Sequence, residues 1–439
     1  MKIHRSAYLI ILLACIVLAG ACKKNRHWEL SRFVSPETCG GCHDAIYEQW
    51  KGSMHNLAHH DPLYREVAIH DLKGLSDPDE ILEAEHCVVC HTPVGYVSGL
   101  PKKTSDHLKK IPGLAAQGIQ CDYCHSATKV RKIYNAEIDI EPGNGESDPG
   151  TKRGPRKDVE PEYHTAAYSA MHTRSEFCGA CHDVRHVVFG TRLETPYEEW
   201  KEGPYAKKGV QCQECHMRQR PGAPSTGSTE RPDNPGALAA GAKERPHVYT
   251  HYFAGGNTLI PSLFGNSEQS KLAGERLRHA ATLSVDSALS DGMLRVTVTN
   301  TGAGHRIPTG LSHVRQMWLE ITVTGAGGRK LFRSGALDAQ GRIMPGAIIY
   351  HTVFGDGTGN PVMNVAKARE ILGDNRIAPL ASEVASYRLP EISEASVTVE
   401  AKLWYRIVSQ ELVDSVLGKG KLAIPSVLMA SDKKIVKVQ

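Results

Sequence analysis

The stretch "ETCGGCHDAIYEQWKGSMHNLAHH", residues 37–60, sets two cysteines three apart, puts a histidine directly after the second, and gathers further histidines a dozen residues on. Its Cys39, Cys42 and His43 are the first copy of a pattern that recurs as Cys87, Cys90 and His91; Cys121, Cys124 and His125; Cys178, Cys181 and His182; and Cys212, Cys215 and His216. Only Cys15 and Cys22 lie outside it. Two thiols on one turn of chain can add to the two vinyl groups of a haem, and the adjacent imidazole then lies beneath the iron as its axial ligand. Disulfides, structural zinc and a thioredoxin-like redox pair all use paired cysteines, but none asks for a histidine after every second one. Five copies that consume every cysteine after residue 22 predict five covalently attached haems c.

Each iron has a second axial position, and 17 of the 22 histidines lie outside the motifs. Imidazole is the natural donor for a low-potential electron-transfer haem. His86 directly precedes Cys87, which ties it to the proximal side and makes it a poor candidate. His55 follows His43 by twelve residues, roughly 18 Å if the intervening chain is helical, so it is expected to serve a neighbouring haem. The remaining candidates are His164 and His172 in "EYHTAAYSAMHTRSEFC", His247 and His251 in "RPHVYTHYFAGGN", and His305 in "TNTGAGHRIPTG". His4, His279 and His351 have no such setting, and no methionine stands in a ligand context.

The motifs sit in a partial duplication. "AQGIQCDYCH" ends at His125 and "KKGVQCQECH" at His216, each 34 residues after the histidine of the preceding motif. "CGGCHDAIYEQWKGS" resembles "CGACHDV" together with the later "PYEEWKEGPY". Two related units, the first carrying an inserted motif, favour prosthetic groups stacked in a row. Stretches from Glu141 and from Arg220 are rich in Gly, Pro and charge and read as loops. After about residue 271 cysteine disappears and period-two runs such as "MLRVTVTN", "QMWLEITVTG" and "SVTVEAKLWYRIV" take over. These predict an all-β Ig-like sandwich over 279–439. It would follow a haem domain of short helices and loops over 23–278.

Bulk composition agrees with a porphyrin-filled interior. Apolar residues make up 41% and aromatics only 6%, a thin supply for 439 residues. The formal charge of +4 is too small to argue for nucleic acid. Losing Lys2 and Arg5 leaves it near +2, and ionised propionates on five ferric haems would carry it slightly negative. At the N-terminus, that positive pair, the apolar run Tyr8–Leu18 and "LAGAC" read as a lipoprotein signal over 1–22, with Cys22 acylated. Lys23 directs such a lipoprotein to the outer membrane, facing the periplasm or the cell surface.

The segments "CGGCHDAIYEQWKGSMH", "GIQCDYCH", "SEFCGACHDV", "YEEWKEGPYAKKGVQCQECHM" and "THYFAGGN" together resemble the exported multihaem c-type cytochromes. The likeness is to the tetrahaem cytochrome of ammonia oxidisers and the surface cytochromes of metal-reducing bacteria, and "GHRIPTGLSHVRQMWLEITV" looks like a β-module joined to such proteins. The resemblance implies bis-histidine haems in close stacked pairs, with His55, His164 or His172, and His251 as distal ligands. It implies electron transfer in anaerobic or extracellular respiration, to redox partner proteins or an extracellular acceptor. A reductase acting on nitrite, hydroxylamine or a sulfur oxyanion at an open haem is the alternative, disfavoured because no Cys-x-x-Cys-Lys variant is present. A subunit of an oligomer or extracellular cytochrome filament is the third reading.

Overall fold

The computed structural model describes residues 27–438, save Ser228 and the side chains of His107 and Leu108. The signal segment and Cys22 lie outside the described residues. The motifs lie on or against short helices, Pro36–Gly40, Val88–His91, Cys121–His125, Ser175–His182 and Cys212–His216; Cys87 is the N-cap of the second, and Cys42 and His43 occupy the turn after the first, where the His43 N–H still donates to the Cys39 carbonyl at 2.9 Å. The helical repeat puts positions i, i+3 and i+4 on one face, so both thiols and the following imidazole address the same side. Local capping sets the first helix, where the Ser35 hydroxyl accepts the Thr38 N–H at 3.2 Å ahead of Pro36.

The duplication is a duplication of contacts. Trp50 Nε1 donates to the Ile119 carbonyl at 2.8 Å, and Trp200 Nε1 donates to the Val210 carbonyl at 2.7 Å. Ile119 and Val210 hold the same place in "GIQC" and "GVQC". Trp50 thus ties the helix after the first motif to the residue that leads into the third, and Trp200 ties the helix after the fourth to the residue that leads into the fifth. The rings of Tyr47 and Tyr197 complete the match. A Cβ on Gly40 would meet Tyr47 Cγ at 2.7 Å, and one on Gly179 would meet Tyr197 Cγ at 2.6 Å. The glycine after the first cysteine of these two motifs therefore lets an aromatic ring lie flat on the helix.

Apolar packing in this half is sparse. Its buried clusters are small, one around Phe33, Val94, Tyr123 and Ile140 and another around Tyr197, Trp200, Tyr205 and Val210. The large core lies in the C-terminal part, which is built from antiparallel strands: β1 (Ala281–Val285), β2 (Met293–Asn300), β3 (Gln316–Thr324), β4 (Lys330–Ser334), β5 (Ile349–Tyr350), β6 (Thr352–Gly355), β7 (Pro361–Val362), β8 (Glu370–Asp374), β9 (Ser382–Arg388), β10 (Ser396–Arg406) and β11 (Val427–Lys437). One sheet runs β4-β3-β10-β11 with β5 also on β3, a second runs β9-β2-β1, and a third runs β7-β6-β8. Alternation along β2 and β10 turns Leu294, Val296 and Val298, and Val397, Val399, Ala401 and Leu403, into one shared core. That core also takes in Leu57, Leu63, Leu259, Ile260 and Leu277, so the β-region is continuous with the helical half. Among the described residues no helix is long and apolar enough to cross a membrane.

Gly179→Ala should cost about 1–3 kcal/mol, because backbone and ring must both yield to the added methyl. Gly154→Ala, which meets nothing within 4 Å, should be close to neutral. Denaturant unfolding of the two variants checks the contrast, and equal midpoints would refute the close-approach reading of the glycine.

Candidate haem-binding site

The structure brings motif histidines face to face with histidines from elsewhere in the chain. His43 opposes His164 with ring centroids 6.4 Å apart, His182 opposes His55 at 6.2 Å, His125 opposes His251 at 6.4 Å and His216 opposes His305 at 6.4 Å. Two imidazoles sharing a metal through nitrogen bonds of about 2 Å place their ring centres roughly 6 Å apart. All four pairs have that spacing.

Hydrogen bonding settles which nitrogen is presented. Nδ1 donates to a backbone carbonyl in His43 (Leu238, 2.7 Å), His91 (Ala58, 3.2 Å), His125 (Arg153, 2.6 Å) and His216 (Ala254, 2.9 Å). It does the same in His164 (Thr165, 3.0 Å), His251 (Tyr249, 3.1 Å) and His305 (Arg306, 2.9 Å). A carbonyl can only accept, so Nδ1 carries the proton and Nε2 keeps its lone pair for a metal. Burial also keeps the rings of His55, His91 and His251 neutral. His55 and His251 are pushed down to about 3 and His91 to about 4, chiefly by loss of water.

The thiols are free of disulfides, and only Cys42 among the ten is exposed. Burial pushes the Cys87 and Cys124 thiols up to about 12, yet neither is fully shut from accessible space. Groups that are deep in the molecule and still carry accessible surface line an internal space. Paired thiols, a carbonyl-oriented imidazole and an opposing imidazole around such spaces fit haem c. The sites also touch one another. Cys39 interacts directly with Cys121, Cys90 with Cys181, and Cys178 with Cys212. The first and third of these contacts join equivalent positions of the two repeated units.

Two candidate histidines are placed differently. His172 uses Nε2 on the Cys124 carbonyl at 3.0 Å and stacks beside His125 at 5.5 Å, so it buttresses that ring from the side. His247 accepts the Asn234 N–H on Nδ1 at 3.0 Å and faces Asp233 at 3.7 Å. For His91, no imidazole at the paired spacing is found among the described side chains. The ring against it is Tyr64, stacked at 3.7 Å and 10°. Sequence reasoning passed over Tyr64, and no local pattern signals it.

Comparison with known proteins bears on the fold. A family model described as "Cytochrome c554 and c-prime" matches residues 38–126. The crystal structure of a penta-heme cytochrome c552 from Thermochromatium tepidum superposes with a TM-score of 0.61 at 22% identity, covering 93% of this chain and all of that one. The fold is that of a multihaem cytochrome c. A Thermotoga maritima protein proposed to be a superoxide reductase overlaps 37% of this chain and 87% of its own at 14% identity, but its TM-score of 0.18 carries no argument. No curated protein matches the chain.

Near the second motif, Glu83 accepts the Val187 N–H at 2.7 Å and lies 3.7 Å from His186. Burial raises its carboxyl from 4.5 to about 7. The folded protein therefore holds a proton there that the unfolded chain releases at lower pH. That penalty is absent below about pH 4.5, grows as pH rises toward 7 and is constant above. Glu83→Gln, which can still accept from Val187, should stabilise the protein at pH 8 by about 1–3 kcal/mol relative to its effect at pH 4. Unfolding curves at the two pH values test the sign.

Proposed function

We propose that the chain transfers electrons through five covalently bound haems c. The observation that supports this reading most directly is the set of four opposed histidine pairs, each joining a motif imidazole to one delivered by a distant segment. When bound, haem supplies a reversible one-electron iron couple. The protein's part is to hold the thioether anchors, aim Nε2, exclude water and keep neighbouring sites in contact. In this reading His164, His55, His251 and His305 are the distal ligands of the first, fourth, third and fifth sites. His172 and His247 are assigned no iron. The C-terminal region, an Ig-like sandwich in our reading, then contributes one ligand and closes one end of the array.

We further propose that the protein is exported, acylated at Cys22 and held at the outer membrane. There it would pass electrons to redox partner proteins or an extracellular acceptor. The reductase reading centres on His91, the one motif histidine whose described ring neighbour is a tyrosine.

The purified protein should carry five haems by mass, with low-spin bis-histidine signals from at least four in electron paramagnetic resonance. His251→Ala should convert one of them to a high-spin signal and leave the others. A mass matching bare polypeptide would end the proposal. A wild-type high-spin signal that shifts on adding nitrite or hydroxylamine would favour the reductase.

A further inference from the structure

Arg276 stands in the last turns of the helix Ser267–Arg278, beside the fifth motif. One of its guanidinium nitrogens donates to the Cys215 carbonyl at 2.7 Å, while Nε is buried without a partner. Burial pulls the guanidinium down to about 10, so it stays charged at neutral pH. Among the described residues it forms no ion pair. The adjacent Glu275 points elsewhere on the helix, with a buried carboxylate oxygen that is itself unpartnered.

The positive charge bears on both imidazoles of the 6.4 Å pair His216–His305. Of the acids in that neighbourhood, Glu275 and Glu176, which bears on Cys212, form no ion pair among the described residues, while three others are matched. Glu214 pairs with Arg218 at 2.8 Å, and Glu199 and Asp374 each pair with Arg376 at 2.8 Å. Arg231 adds a second positive influence at Cys215. A buried guanidinium lacking a counter-charge is costly to keep. It lowers that cost where an electron or an anionic group occupies the neighbouring space, and a fixed positive charge stabilises the reduced state of that neighbour.

We propose that Arg276 raises the reduction potential of the site built by Cys212, Cys215, His216 and His305. The proposal rests on the electron-transfer reading. It goes beyond that reading by assigning a tuning role to a residue outside every motif.

Redox titration of the haem-loaded protein, followed by electron paramagnetic resonance, tests it. Arg276→Leu and Arg276→Gln should each lower one midpoint by at least tenfold in its equilibrium constant, about 59 mV for one electron. The other midpoints should stay in place, and Arg276→Lys should retain most of the wild-type value. Paramagnetic nuclear magnetic resonance on partly reduced wild type and Arg276→Leu provides a second readout, since it should assign the lowered midpoint to the His216–His305 pair. Unchanged midpoints in folded, haem-loaded variants, or a shift assigned to another pair, overturn the assignment. Protein that binds no haem would instead remove the reading beneath it.

Discussion

The structure depends on a gap of fixed width between opposed imidazoles. Each pair keeps its rings a little over 6 Å apart, too far for direct contact and right for one metal between them. The backbone sets that width. In three of the four pairs a carbonyl grips Nδ1 of both rings, the motif side and the opposite side alike. Six such bonds restrain ring rotation before any iron is present, which is the preorganisation a metal site needs.

Because the opposed histidines come from far along the chain, haem ligation at these pairs would be coupled to folding. His55 follows the first motif and faces the fourth; His251 and His305 follow all five and face the third and fifth. A chain whose helical half has only small apolar clusters gains long-range closure from these crossings. The duplicated tryptophan-to-carbonyl bonds act at shorter range, tying the helix after the first motif to the approach to the third and the helix after the fourth to the approach to the fifth. The thiol contacts at equivalent places, Cys39 with Cys121 and Cys178 with Cys212, then follow from one unit built twice. The inserted second motif has no counterpart in that scheme and joins through Cys90 to Cys181 instead.

The motifs were legible because their chemistry is local: two thiols and an imidazole must lie within five residues to act on one ring. The antiparallel strands after residue 280 were legible because alternation records a sheet with one buried face. Distal partners were legible only as a pool. His172 and His251 look alike in sequence, and what separates them is which nitrogen a carbonyl occupies, Cys124 O on Nε2 of one and Tyr249 O on Nδ1 of the other. Tyr64 and Arg276 left no trace at all, since stacking on His91 and reaching Cys215 are products of tertiary packing. The repeat was visible as similar letters, but the reason for glycine in "CGGC" and "CGAC" needed the tyrosine rings.

The join between the two halves bears on why a β-region is present. His305 sits in the turn between β2 and β3, and Asn300 at the end of β2 donates its side-chain amide to the His305 carbonyl at 2.9 Å. The neighbouring Arg306 N–H donates to Glu199 at 2.9 Å, and Arg376, beside β8, binds the same glutamate at 2.8 Å. Glu199 precedes Trp200, whose indole organises the approach to the fifth motif. One carboxylate thus binds the turn that carries an opposing imidazole, an arginine from the β-region and the helix that positions the motif. A flexible loop could deliver a histidine to the right place on average. A turn clamped between a closed β core and an ion-paired glutamate holds it there, and a site whose spacing must be kept to a fraction of an ångström requires that rigidity.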